Sequence, residues 1–306
     1  MPDIPVGSVI ESALQWLIDN AGPLFDVVSA MLLFCVNSAY EVLAAPPPLV
    51  LIGIFAALAG VVLRGVGMAA FTVAAFLLVD GMQLWSQTVQ TLAVVVIAAA
   101  IAIAVGVPIG VLAASSARTS RAVRPVLDFM QTLPVFVYLV PAVFFFGIGV
   151  VPGIVATTVF AVPPAVRLTE LGIRQVDTEM VEAAHAFGAR RKQVLRDVQL
   201  PLAVPSIMAG VNQVIMLALS MVVVAGLVGA EGLGGVVVQG VMQLNIGTAF
   251  EGGIAVVILA IFLDRVTGSL GTRRKQRFRL PRLRPSRPQP SPQPQPEERA
   301  PQPATV

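Results

Sequence analysis

The sequence predicts an all-α integral membrane protein with about seven transmembrane helices, and three observations predict it. Hydrophobic residues make up 56% of the 306-residue chain and charged residues only 12%, with a mean hydropathy of +0.85; a soluble domain carries about a quarter charged residues. Long apolar runs recur between Leu49 and Leu263, bounded by Gly, Pro and charge clusters. The charges are also segregated: no Lys or Arg precedes Arg64, whereas the chain beyond Gly271 is crowded with them. Such asymmetry is how loops on the two sides of a bilayer differ.

The first segment, residues 1–48, interleaves Asp3, Glu11, Asp19, Asp26 and Glu41 with Ile10, Leu14, Trp16, Leu17 and Ile18. This predicts acidic amphipathic helices, broken at Gly22-Pro23 and lying on the external membrane surface. A span from Val27 to Ala45 would put Asn37 and Glu41 in hydrocarbon, where an ionised carboxylate costs about 2.5–3.5 kcal/mol. After Pro46-Pro47-Pro48, the apolar runs Leu49 to Leu63 and Val66 to Val79 flank Arg64-Gly65. They predict an accessory transmembrane hairpin over residues 49–82, each arm shorter than the usual span of about 20 residues.

Residues 83–271 form the predicted core. Gln83 to Ala114 suits a tilted span, kinked near Pro108 and Gly110. Arg118, Arg121 and Arg124 in the following loop mark the cytoplasmic side by the positive-inside rule. From there Asp128 to Ile148 goes out, Ile154 to Leu171 returns, Pro205 to Val228 goes out and Gly247 to Leu263 returns. Counting backwards puts Arg64 inside and the N-terminus outside, with every basic cluster on one side. The tail, 272–306, begins with Arg273, Arg274, Lys275, Arg277 and Arg279 and becomes Pro- and Gln-rich. It predicts a cytoplasmic anchor on anionic headgroups followed by disordered chain.

Several chemistries are excluded. Cys35 is the sole cysteine, so no internal disulfide or cysteine metal cluster can form. His185 has no second ligand at metal spacing, and no metal site or resident cofactor is expected. The acidic N-terminus lacks the charged start of a cleaved signal peptide. No G-x-x-x-x-G-K-[ST] phosphate loop is present, so the chain cannot draw on ATP by itself. No nucleophile or acid–base pair suggests a membrane enzyme. Almost no ionisable residue sits within the core spans, as an ion-driven secondary transporter would require. Nothing points to nucleic acid.

One charged insert cannot lie in lipid: Val176 to Pro201, VDTEMVEAAHAFGARRKQVLRDVQLP. Asp177 can cap a helix from Thr178 in which Met180, Ala183, Ala184 and Phe187 share one stripe. Gly188 suits its end, and a second short helix from Arg190 is expected to stop at Pro201. Glu182-Ala183-Ala184, three residues, Gly188, nine residues and Val198-Gln199-Leu200-Pro201 resemble the EAA loop of ABC importer permeases. Val198 stands where that pattern usually has isoleucine. The resemblance implies a type I ABC importer permease core. It also implies that Glu182, Ala183, Ala184, Phe187, Gly188, Arg190, Leu200 and Pro201 couple it to cytoplasmic ABC ATPase subunits, which bind the ATP and Mg.

Within those permeases, Pro125 to Pro141, Phe144 to Pro152, Phe160 to Arg174, Val198 to Val224 and Gly232-Leu233-Gly234 resemble the glycine betaine/proline osmoprotectant type. That resemblance implies a homodimeric permease in a bacterial cytoplasmic membrane, supplied by an extracytoplasmic substrate-binding protein. Choline or an amino acid remains an alternative solute, since the loop is shared across substrates. Intramembrane polar groups are the candidate translocation pathway: Gln131 and Thr132 on one span, Asn212 and Gln213 on another. Interhelical bonding is the alternative for Asn212 and Gln213 and the favoured role for Ser220. Arg167 and Glu170 lie one helical turn apart, where a local pair is expected. Phe136, Tyr138 and Phe144 to Phe146 could face a quaternary ammonium group or simply pack.

Overall fold

The computed structural model describes residues 6–277, and within them every regular element is helical. Of the tail predicted over 272–306, the part up to Arg277 is helical as the end of the last helix, and 278–306 lie outside the described residues. The order is α1 (Val6–Ala44), α2 (Pro48–Leu63), α3 (Val66–Gly81), α4 (Trp85–Ser115), α5 (Ala117–Thr132), α6 (Val135–Phe146) and α7 (Val150–Arg174). Then come α8 (Thr178–Ala186), α9 (Arg191–Gln193), a π-helical segment (Val194–Gln199), α10 (Leu200–Ser220), α11 (Val222–Leu227), α12 (Leu233–Met242) and α13 (Ile246–Arg277). Five stretches among the described residues are long and apolar enough to cross a membrane, or six if a bent pair counts as one span. The hairpin arms α2 and α3, at 16 residues each, are shorter apolar helices.

Two expectations about local breaks are corrected. The N-terminal region is not broken at Gly22-Pro23, because α1 runs uninterrupted past Pro23. A proline there forfeits one backbone bond, and packing just beyond it holds the helix. Phe25 stacks on Phe145 with centroids 4.6 Å apart and meets Phe146 edge-on, while Leu32 and Val36 are buried beside α4 and α7. Glu11–Ala44 thereby qualifies as a candidate span by length and composition, although its acidic residues read as a surface segment in sequence.

The second correction concerns Asp128 to Ile148. It is not one helix: α5 and α6 meet at a 93° bend. Leu133 is extended (φ −71°, ψ 135°), as the residue before a proline prefers. The basic stretch expected as a loop after Ser115 is the first part of α5, capped by Ser116, whose side chain accepts from the Thr119 N–H.

The centre of the molecule is the crossing of α4 and α7. A Cβ on Gly106 would come within 2.5 Å of the Ala165 Cβ, and one on Gly110 within 2.6 Å of the Thr169 Cβ. These two glycines, one turn apart, let the backbones close to a distance that side chains forbid. A second core gathers α2, α3, α4 and α13 around Phe55, Phe76 and Phe262, with Trp85 edge-on to Phe76. In this way the hairpin is fastened to the helices that follow.

Candidate functional site

The insert between α7 and α10 folds as the sequence requires at its start. Asp177 Oδ1 accepts from the Glu179 N–H at 3.0 Å and opens α8. The close is a Schellman motif: Ala189 N–H donates to the Ala184 carbonyl at 3.1 Å and Gly188 N–H to that of His185 at 2.9 Å. Gly188 has φ +81° and open space around a would-be Cβ. Its requirement is therefore conformational, not steric. His185 Nδ1 lies 3.2 Å from the Ala189 carbonyl in the same turn.

The apolar stripe divides. Val181 and Ala184 are half-buried, whereas Met180, Ala183 and Phe187 point away from the chain, Phe187 at 93% exposure. Glu182 and Arg190 are exposed as well. No residue of α8 is fully buried. Met180 on α8 and Phe187 at its C-cap thus leave large apolar side chains exposed.

The expected stop at Pro201 is corrected. The chain continues through it, because Leu200 and Pro201 open α10 at positions where a missing N–H costs little. The junction is the π-helical Val194–Gln199, whose last bond runs from Leu200 N–H to the Leu195 carbonyl. Gln193 Oε1 accepts from the Arg190 N–H at 2.8 Å and starts the short α9. Val194 alone in this stretch is fully buried. The segment that follows α8 is thus fused to α10 through a widened helical turn.

The local pairing expected for Arg167 and Glu170 is also corrected. Arg167 reaches across to Asp128 on α5, while Glu170 turns to the buried side. There Glu170 Oε1 accepts from Ser120 Oγ at 2.7 Å, from Arg174 Nε at 3.0 Å and from Arg124 Nη2 at 3.3 Å. Arg174 Nη2 adds a bond to the Ala113 carbonyl at the end of α4. A cavity of about 360 Å³ lies among these groups. The reason is rotational: with Glu170 6% exposed, tertiary contact decides which partner it meets. Arg174 is an i,i+4 partner that helical spacing allows, whereas Ser120 and Arg124 on α5 are met only through tertiary contact.

The pathway candidates are not brought together as one set. Gln131 and Thr132 are exposed at the end of α5, where the Thr132 hydroxyl donates to the Phe129 carbonyl. Gln213 is exposed on α10. Asn212 Nδ2 donates to Asp264 Oδ1 on α13 at 2.8 Å, and the Thr267 hydroxyl donates to Asn212 Oδ1. Asn212 therefore joins two helices. Ser220 bonds back to Met216 within α10 instead of across helices. Of the aromatics, Tyr138 donates to the Met130 carbonyl and Phe145 and Phe146 pack on Phe25, leaving Phe136 and Phe144 exposed.

The described residues form an all-helical set of apolar candidate spans with an exposed, capped helix inserted between two of them, the architecture of a multi-pass membrane subunit. The chain belongs to the family described as binding-protein-dependent transport system inner membrane component, whose model matches residues 106–278. It is 48% identical over 277 residues to the glycine betaine transport system permease protein OpuAB of Bacillus subtilis (strain 168), covering 90% of this chain and 98% of that protein. It is 45% identical over 268 residues to the glycine betaine/proline betaine transport system permease protein ProW of Escherichia coli (strain K12), covering 88% and 75%. Among solved structures, an inward-facing MetNI methionine ABC transporter matches with a TM-score of 0.57 at 25% identity, over 62% of this chain and 95% of that one. The fold is that of a type I ABC importer permease, and the chain is a multi-pass inner-membrane transport component.

Proposed function

We propose that the chain is the permease of an ATP-driven importer for glycine betaine, proline or a related quaternary ammonium osmoprotectant. The names of the relatives support the solute class. The observation that carries the coupling is the outward face of Met180, Ala183 and Phe187, held by the Gly188 turn and fused through the π-helical junction to α10. A partner ATPase that closes on ATP and Mg would move α8, and α10 would pass that movement to α7 and α13, the helices it packs against. No step of ATP chemistry is assigned to this chain. The permease would work as a homodimer with the coupling loop and basic clusters in the cytoplasm, receiving solute outside from a binding protein.

Reconstitution in vesicles with the cognate ATPase and binding protein tests this. ATP-dependent uptake of labelled glycine betaine, beside proline and choline, is expected to need all three components. Hydrolysis without betaine uptake would reject the solute class, and no association with an ATPase would reject the coupling loop.

A further inference from the structure

A second cavity, of about 490 Å³, opens between the coupling element and the end of α4. Its apolar wall includes Val111, Leu112 and Leu195, and its polar wall includes Arg191, Lys192 and Ser115. No carboxylate lines it. Arg191 and Lys192 are exposed and enter no ion pair among the described residues. The apolar side continues along α4: Leu112 is 59% exposed and Val105, two turns earlier on the same face, 44%. The α4 end that forms this wall leads directly into Arg118, Arg121 and Arg124, so it lies at a membrane boundary on the basic side.

We infer that this cavity is a binding site for an anionic phospholipid of the leaflet at that boundary. The phosphate would sit between Arg191 and Lys192 and an acyl chain would follow Leu112 and Val105. Two unpaired cations above an apolar track suit a ligand that is charged at one end and apolar at the other. A soluble anion would satisfy the cations but leave the track in contact with water. The placement gives such a lipid a consequence, because Arg191 and Lys192 belong to the element that joins α8 to α10. A bound headgroup bridges that element to α4. The inference stands apart from the solute proposed above and is read by binding, not transport.

The test uses the purified full chain in detergent, titrated with dioleoyl phosphatidylglycerol or phosphatidylcholine and read by native mass spectrometry. Phosphatidylglycerol is expected to be retained preferentially. R191Q/K192Q should weaken its retention about thirtyfold, whereas R118Q/R121Q, on the neighbouring basic segment, should leave it within about twofold. Leu112→Gln, at an exposed position, should weaken dioleoyl lipid more than a short-chain analogue. Matched helicity and melting confirm that the variants are folded. Equal retention by R191Q/K192Q and the unsubstituted chain would overturn the inference, as would full displacement by inorganic phosphate.

Discussion

Ser120 and Glu170, fifty positions apart in sequence, meet in a buried hydrogen bond of 2.7 Å that fastens the start of α5 to α7. The same carboxylate oxygen receives Arg174 and Arg124, so one acid holds a hydroxyl and two guanidinium groups at the α5–α7 contact.

Replacing Glu170 by Ala leaves Arg174 and Ser120 without their common acceptor. Breaking a buried pair on one side costs about 3–5 kcal/mol, and exposure of Arg124 and Arg174 brings the expectation to about 2–3 kcal/mol. A thermal melt of the detergent-solubilised protein checks it; Glu170→Gln, which keeps a hydrogen-bond acceptor for Ser120, should lose less. Equal melting temperatures for all three proteins would mean that the cluster carries no stability.

Gly188 provides a test of conformation against space. Since φ is +81° and nothing lies near a would-be Cβ, Gly188→Ala should strain the turn by about 1 kcal/mol. Gly188→Asn should recover part of this, because asparagine tolerates the left-handed region better. The variants should insert normally yet stimulate the partner ATPase less, alanine more severely than asparagine. Hydrolysis and uptake measured side by side report the ordering.

Phe187 is expected to behave in the opposite way from a core residue. At 93% exposure, Phe187→Ala should leave the melting temperature of the isolated permease unchanged. It should weaken ATPase association by tenfold or more, on the scale of a lost aromatic anchor. Co-purification at graded ATPase concentration measures it.

Gly110 should tolerate almost nothing. A Cβ there would stand 2.7 Å from the Val166 carbonyl oxygen and 2.6 Å from the Thr169 Cβ, and overpacking of this kind costs about 1–3 kcal/mol. Gly110→Ala should lower the melting temperature, and Gly110→Leu should abolish stable insertion. Gly53, with open space around it, is the control position for the same substitutions.

Much of this molecule was legible in the sequence where the signal was local. Asp177 as cap and Gly188 as the helix stop depend on neighbours within one or two turns, and each stands in the structure. The breaks were less legible. Pro23 and Pro201 both read as stops and neither is one, while Pro134 marks a 93° bend inside what read as one span. A proline removes a donor in every case; whether the helix survives depends on its position, as at the opening of α10 for Pro201, and on what packs around it, as beside Pro23. The polar residues divided similarly. Asn212 was even between pathway and interhelical bonding, and only the approach of α13 brings Asp264 and Thr267 to it.

The sequence by itself determined that the chain is a helical membrane protein, where its charged insert lies and which backbone position needs glycine. These follow from composition, periodicity and the conformational limits of single residues. Tertiary structure alone decided that Arg167 pairs with Asp128 instead of Glu170, that Glu170 is buried, and that Phe187 faces outward while Ala184 is half-buried. Those facts depend on the rotation of each helix about its axis and on how closely it approaches its neighbours. That rotation is set by the sum of contacts along whole helices, such as the closure of α4 on α7 over Gly106 and Gly110.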